Sequence, residues 1–267
     1  MIWRTTSRSD MAHVAESTHY YTRDGKPAYT VIGANGKERD TTVRDAKKLG
    51  LVPSVTTVIR CAAAPGLEYW KTQQAILAAL TLPKIEGEKD DDYLARILKD
   101  SKEQAKKAAE RGTAIHAAVQ GYYEGEQPSP EFWPHIQGAR NAVSDWIGEQ
   151  EWKPERSFAS TLGFGGKADL SCSAAVLDFK TKEFGPEADL KTWDEHAYQL
   201  AAYREGLGVP QARCAIVYVS ATVPGLARLI EIQEPELVRG WKCFYSLLQF
   251  WKSKNGFDSA FERALAA

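Results

Sequence analysis

The segment that most constrains this chain is residues 174–180. It runs Ala174, Ala175, Val176, Leu177, Asp178, Phe179, Lys180, an apolar stretch that ends on two opposite charges. It reads as a strand. Alternate side chains of a strand leave opposite faces, so Asp178 and Lys180 project from the same one. Charges at the end of an otherwise apolar strand are costly to bury unless they are paired or hold a metal. Any fold that accepts this strand must therefore bring partners to that face.

The nearest partner lies just upstream. Gly165, Gly166, Lys167, Ala168 and Asp169 precede a short turn at Ser171, Cys172 and Ser173. So tight a turn folds the preceding strand back antiparallel and sets Asp169 beside Asp178. Two adjacent carboxylates repel, and a divalent cation relieves the repulsion. All-oxygen donors with water retained suit Mg²⁺ or Mn²⁺. A lysine two residues on can steady charge that develops on a phosphoryl group. The alternatives at this point are plain: an Asp-x-Lys pair as two surface charges, and Asp169 as the end of a strand.

The rest of the chain supplies layers. Residues 19–32 read as a β-hairpin around Asp24 and Gly25, with a second turn at Ala34, Asn35 and Gly36. Short helices are expected over 41–49 and 55–62, and a third from Pro65 to about 82. An acidic patch at 86–92 reads as a solvated loop or helix lead-in; it lacks the spacing of a calcium loop. A long helix follows over about 92–123, with Ile115, Ala118, Val119 and Tyr122 as its buried stripe, and another over 132–149. Then the character changes. Strands are expected at 152–160, 166–172 and 174–180, a helix at 193–206, strands at 212–220 and 227–233, and a closing helix at 236–254. This order predicts an α/β (α+β) layer design with a mixed central sheet. The expected partition is a loose tail over 1–17, a hairpin and helical region over 18–150, a sheet core over 151–254 and a tail over 255–267. No Pro/Gly/Ser linker separates 18–150 from the core, so the two are expected to form one unit.

Composition narrows the class. At 43% apolar and 26% charged the chain resembles a folded globular protein, and no 18-residue apolar run offers a membrane span. Residues 1–17 have no apolar signal core. Arg4 and Arg8 hint at a mitochondrial presequence, but Asp10 and Glu16 oppose it, so a cytoplasmic location is expected, in a bacterial or phage-infected cell. Cys61, Cys172, Cys214 and Cys243 are scattered, with no Cys-x-x-Cys pair, which fits single thiols in a reducing compartment. The formal net charge of −1, taken alone, argues against a polyanionic partner. It is an average over opposed regions. The acidic patch contributes −4, while the stretch from Arg96 to Arg111 carries a local +3 and leads directly to His116. The closing helix adds Arg239, Lys242, Lys252 and Lys254, interleaved with Trp241, Phe244, Tyr245, Phe250 and Trp251. Such cations can track phosphates, and the rings either stack on bases or form the buried face of the helix.

Two more features complete the pattern. His116 sits beside the stripe of the long helix, either as a core histidine or as a ligand. Gln199 and Tyr203, four apart, share one face of the helix after the third strand, offset from Trp193, Ala197, Leu200 and Ala201 on its core side. The ordered set of helical histidine, Asp169, Asp178-x-Lys180 and Gln199-x-x-x-Tyr203 resembles the PD-(D/E)XK nuclease superfamily. It is most similar to the RecB-like and Cas4-like exonuclease branch, with phage and mitochondrial genome maintenance relatives. Residues 51–58 and 66–70 also resemble segments of phage-type members, so the likeness spans roughly 18–254.

The resemblance implies a restriction-endonuclease-like core and a set of roles. His116, Asp169, Asp178 and the Phe179 carbonyl would hold Mg²⁺ or Mn²⁺, and Lys180 would be the catalytic lysine. Gln199, Tyr203, Arg111 and Glu155 would orient the site or bind substrate. Cys214 and Cys243 do not cluster as in the iron–sulfur members, so no cluster is expected. The implied activity is a metal-dependent deoxyribonuclease, an exonuclease on single-stranded DNA or duplex ends in replication, recombination or repair. A protein partner from replication or recombination is consistent with it. The alternatives are a structure-specific endonuclease and a non-catalytic nuclease-like DNA-binding protein.

Overall fold

The computed structural model of the chain describes residues 18–62 and 65–257. The expectations for 1–17 and for 258–267 lie outside those residues. The order is β1 (Tyr20–Tyr21), β2 (Thr30–Ile32), β3 (Glu38–Asp40), α1 (Val43–Leu49), β4 (Val52–Pro53), α2 (Val55–Ile59), α3 (Pro65–Thr81), α4 (Asp90–Tyr123), α5 (Trp133–Ile147), β5 (Lys153–Ser160), β6 (Phe164–Ser171), β7 (Ala175–Lys182), α6 (Asp194–Gly206), β8 (Arg213–Ser220), β9 (Ala227–Ile232) and α7 (Glu234–Asn255).

The core is the mixed α/β arrangement expected. Five strands lie in the order β5-β6-β7-β8-β9, antiparallel except for the parallel pair β7 and β8, which α6 connects. Period-two alternation gives the sheet two apolar faces. Val176, Cys214 and Ile216 join a cluster with Leu200 of α6 and Phe244 of α7. Leu177, Ala215 and Val217 join another with Ile115 and Val119 of α4 and Ile136 of α5. The stripe expected on the long helix is thus its contact with the sheet. Gly240 lets α7 lie directly against α6. A Cβ there would stand 2.5 Å from the Ala197 carbonyl oxygen.

Several local expectations change. The hairpin over 19–32 shrinks to its tip, one bridge of Tyr21 with Pro27 flanked by hydrogen bonds from Ala28 N–H to the Tyr20 carbonyl and from Thr22 N–H to the Lys26 carbonyl. Tyr20 and Tyr21 pair instead with Val52 and Pro53, while Thr30–Ile32 pairs with Glu38–Asp40 around the Asn35-Gly36 turn. The acidic patch is partly helical: α4 starts at Asp90, and Asp90, Asp91 and Asp92 occupy its first turn, where the helix dipole favours them. Glu88 forms a forked pair with Arg96. Trp193 is an exposed N-cap rather than core. Asn255 ends α7, Gly256 caps it in the left-handed region, and Phe257 packs on Trp251, so the first residues assigned to a C-terminal tail close the helix. No helix among the described residues is long and apolar enough to cross a membrane.

Candidate active site

The site begins where the sheet opens. Strands β6 and β7 pair at Ser171 with Val176 and Leu170 with Leu177, and the ladder stops there. Asp169 comes next, and its side chain takes the place of the missing backbone partner. Asp169 Oδ2 accepts a hydrogen bond from Phe179 N–H at 2.8 Å. The same interruption appears on the other side of β6. Glu155 stands opposite Asp169 in register but outside the paired residues, with a left-handed φ of 51°. Such a conformation is uncommon for a residue with a Cβ. The opening lets helices on opposite faces reach the same place. From α4, His116 brings Nε2 to 3.7 Å from Asp169 Oδ2. From α6, Gln199 Nε2 donates to Asp178 Oδ1 at 2.7 Å and to Tyr203 Oη at 3.0 Å.

Asp178 is buried, and Lys180 places its ammonium 2.7 Å from Asp178 Oδ2. That oxygen has no aligned hydrogen bond in addition to the ion pair. Burial, then the neighbouring charge of Asp178, pushes the Asp169 carboxyl up from its ordinary pKa. Burial opposes charge on Lys180, but the carboxylates of Asp178 and Asp169 outweigh it and raise its pKa. Burial and the same two carboxylates hold the Tyr203 phenol well above its usual value, so it remains a proton donor.

These groups line a cavity of about 390 Å³. Its far wall carries no local mark in the sequence. His19, Tyr21 and Tyr29 form an aromatic side, with His19 and Tyr29 stacked at 4.3 Å and the Tyr21 and Tyr29 hydroxyls 2.7 Å apart. Ser54, Thr56 and Thr113 add hydroxyls. In the sequence, residues 51–58 stand out only through their likeness to phage-type segments, and the tyrosines only as strand formers. The two glycines before Lys167 now have a reason. A Cβ on Gly165 would lie 2.8 Å from the Tyr21 side chain, and one on Gly166 2.8 Å from the Tyr203 and Phe158 rings. They let both walls close on the strand.

Other expected residues fall elsewhere. Glu155 forms an ion pair with Lys167 and supports it from outside the cavity lining, while Lys167 lines the cavity. Arg111 is exposed on α4 and does not line the cavity. The Phe179 ring packs in the core, stacked on Tyr123. On α7, Phe244 and Trp251 are buried, whereas Tyr245 and Phe250 are exposed.

Among the described residues no three His, Cys, Asp or Glu side chains converge as a ready-made metal cluster. Asp178 is turned toward Lys180 and Gln199, and His116 stands back from Asp169. The donor chemistry nonetheless suits a hard divalent cation. Two carboxylates lie close enough for one to raise the pKa of the other, and one buried carboxylate oxygen lacks an aligned hydrogen bond.

No protein-family model and no curated protein matches the chain. Distantly similar solved structures include the following two. A "putative exonuclease" from Eubacterium rectale is 14% identical with a TM-score of 0.37, over 56% of this chain and 69% of that one. SSO0001 is 17% identical with a TM-score of 0.27, over 68% of this chain and 85% of that one. Neither likeness is close enough to bear on activity.

Proposed function

We propose that this chain is a Mg²⁺- or Mn²⁺-dependent nuclease that hydrolyses phosphodiester bonds of DNA, acting as an exonuclease on single strands or duplex ends. The observation that carries this is the convergence of Asp169, Asp178 and Lys180 in one cavity, with Gln199 fixing Asp178. Asp169 and Asp178 would hold the cation, with His116 and the Phe179 carbonyl completing its protein donors. When bound, the cation supplies Lewis-acid polarisation of the phosphoryl group and activation of water.

The chain's own residues supply the rest. The Phe179 N–H positions Asp169, and Gln199 positions Asp178. Lys180 places a positive charge where negative charge grows on the phosphoryl oxygens. Tyr203 Oη accepts from Gln199 and keeps its own proton for donation. The Tyr29 ring gives unpaired bases a surface, and Thr56 and Thr113 give the sugar–phosphate chain donors. This wall favours single strands over an intact duplex.

The test is a digest of end-labelled linear single-stranded, linear duplex and circular single-stranded DNA with Mg²⁺, Mn²⁺ or EDTA. Metal-dependent loss of the linear strands, with the circle intact, is expected. Asp178→Ala and Lys180→Ala should abolish cleavage while the fold survives. Full activity in both variants, or none in the wild-type chain with either metal, would sink the assignment. Cutting of the circle would make it an endonuclease.

A further inference from the structure

The cavity that holds the carboxylates does not end at Lys180. A second cavity of about 330 Å³ adjoins it and shares Thr56, Lys180 and Gln199 with it; Arg60, Glu195 and His196 lie on its own walls. The two thus meet along a shared wall that includes Lys180. None of the three new residues belongs to the expected site.

We propose that Arg60 and His196 form a seat for the phosphate one linkage away from the scissile one. A strand then lies across Lys180 with one phosphate in each cavity. The assignment rests on the nuclease activity proposed above and adds the contact that sets the strand's register.

Arg60 suits the role by chemistry and by anchorage. Its planar guanidinium matches the oxygens of a phosphate two at a time. It is exposed, at the C-cap of α2, and that short helix is pinned by the buried Val55, Val58 and Ile59. The head group is therefore presented from a fixed point. His196 supplies the second donor. Its Nδ1 accepts the Trp193 N–H at 3.1 Å, which leaves the ring proton on Nε2. Burial and the nearby Lys180 depress its pKa to about 4, so near neutrality it donates a hydrogen bond without adding charge. Glu195 is the one carboxylate on this wall. It repels an anion and confines the seat to the Arg60 side.

The experiment removes the phosphate charge and the arginine separately and together. Short single-stranded oligonucleotides carry one neutral methylphosphonate at the linkage on either side of the cut. They are compared with the all-phosphate strand for the wild-type chain, Arg60→Gln and Arg60→Lys, with Arg44→Gln as an exposed-charge control. Cleavage is followed as kcat/KM in Mn²⁺, and binding as Kd in EDTA. One methylphosphonate position should lower wild-type kcat/KM by about tenfold to a hundredfold, the worth of a charge-assisted hydrogen bond. Arg60→Gln should lower it similarly on the all-phosphate strand, and the two losses should not add. Arg60→Lys should recover part of the loss, and Arg44→Gln should behave as wild type. Losses that multiply at both positions overturn the subsite, even if the nuclease activity stands. If the wild-type chain cleaves nothing, the nuclease assignment falls and the binding arm decides: non-additive losses in Kd support the seat, and additive losses overturn it.

Discussion

Gln199 spans 2.7 Å to Asp178 Oδ1, and the same amide nitrogen reaches Tyr203 Oη at 3.0 Å. The buried carboxylate is thereby held by a neutral donor that cannot be titrated away. Gln199→Ala should leave Asp178 held by Lys180 alone. Residues that orient such a carboxylate are worth about 10–100-fold in activity or metal affinity. The expected outcome is a kcat loss of that size with KM nearly unchanged, and a higher Mn²⁺ concentration for half-activation. A kcat within twofold of wild type would show that Asp178 holds its place without the amide.

Tyr29 tests the aromatic wall. Its hydroxyl meets that of Tyr21 and its ring stacks on His19. If the ring contacts an unpaired base, Tyr29→Ala should raise KM for single strands by about fivefold to a hundredfold, since a stacked base contributes about 1–3 kcal/mol. Tyr29→Phe keeps the ring and should stay near wild type. Fluorescence anisotropy with a labelled single strand measures the effect directly, and equal losses in both variants would assign the role to the hydroxyl instead.

Gly240 marks the contact that seats α6, and so Gln199, on the core. A methyl group there would press on the Ala197 carbonyl. Gly240→Ala should gain helix propensity yet lose about 1–3 kcal/mol overall, because backbone must move to admit the side chain. Urea unfolding reports the difference. A stability at or above wild type would mean that α7 can slide on α6 at little cost.

Local periodicity makes part of the site legible in the sequence itself. Asp178 and Lys180 share a face because strands alternate, and Gln199 and Tyr203 share one because helices repeat near four. The turn at 171–173 is too short to do anything but bring Asp169 back beside Asp178. What stays hidden depends on contacts far apart in sequence. Tyr21 faces Gly165 because two residues of β1 pair with two of β4, a ladder too short to leave a pattern. Arg60 and His196 meet across the second cavity only because α2 packs on α6. The hairpin over 19–32 keeps its tip around Asp24 and Gly25 and stops at Ala28, because β1 pairs with β4 and β2 with β3.

His196 gives the fold a pH dependence whose sign is fixed by its surroundings. Burial opposes its protonation first. Lys180 and Lys182 add to that, Asp178 works against it, and the Tyr218 hydroxyl lies 3.5 Å from Nδ1. The folded chain holds its pKa at about 4, against an ordinary value of 6.5. Near neutrality both the folded and unfolded forms are unprotonated, and the residue contributes no pH slope. Between 6.5 and 4 the unfolded chain binds a proton that the folded chain refuses, so stability falls as pH falls. Below 4 both forms are protonated and the slope vanishes. The full loss is about 3 kcal/mol at one pKa unit per 1.36 kcal/mol. His196→Gln keeps a side-chain acceptor on the helix but cannot be protonated. Its urea stability, measured in EDTA from pH 7 to 4, should therefore fall less steeply than that of the wild type, with the two curves diverging as pH drops below 6.5. Parallel curves over that range would show that the imidazole is protonated in the folded chain as readily as in the unfolded one.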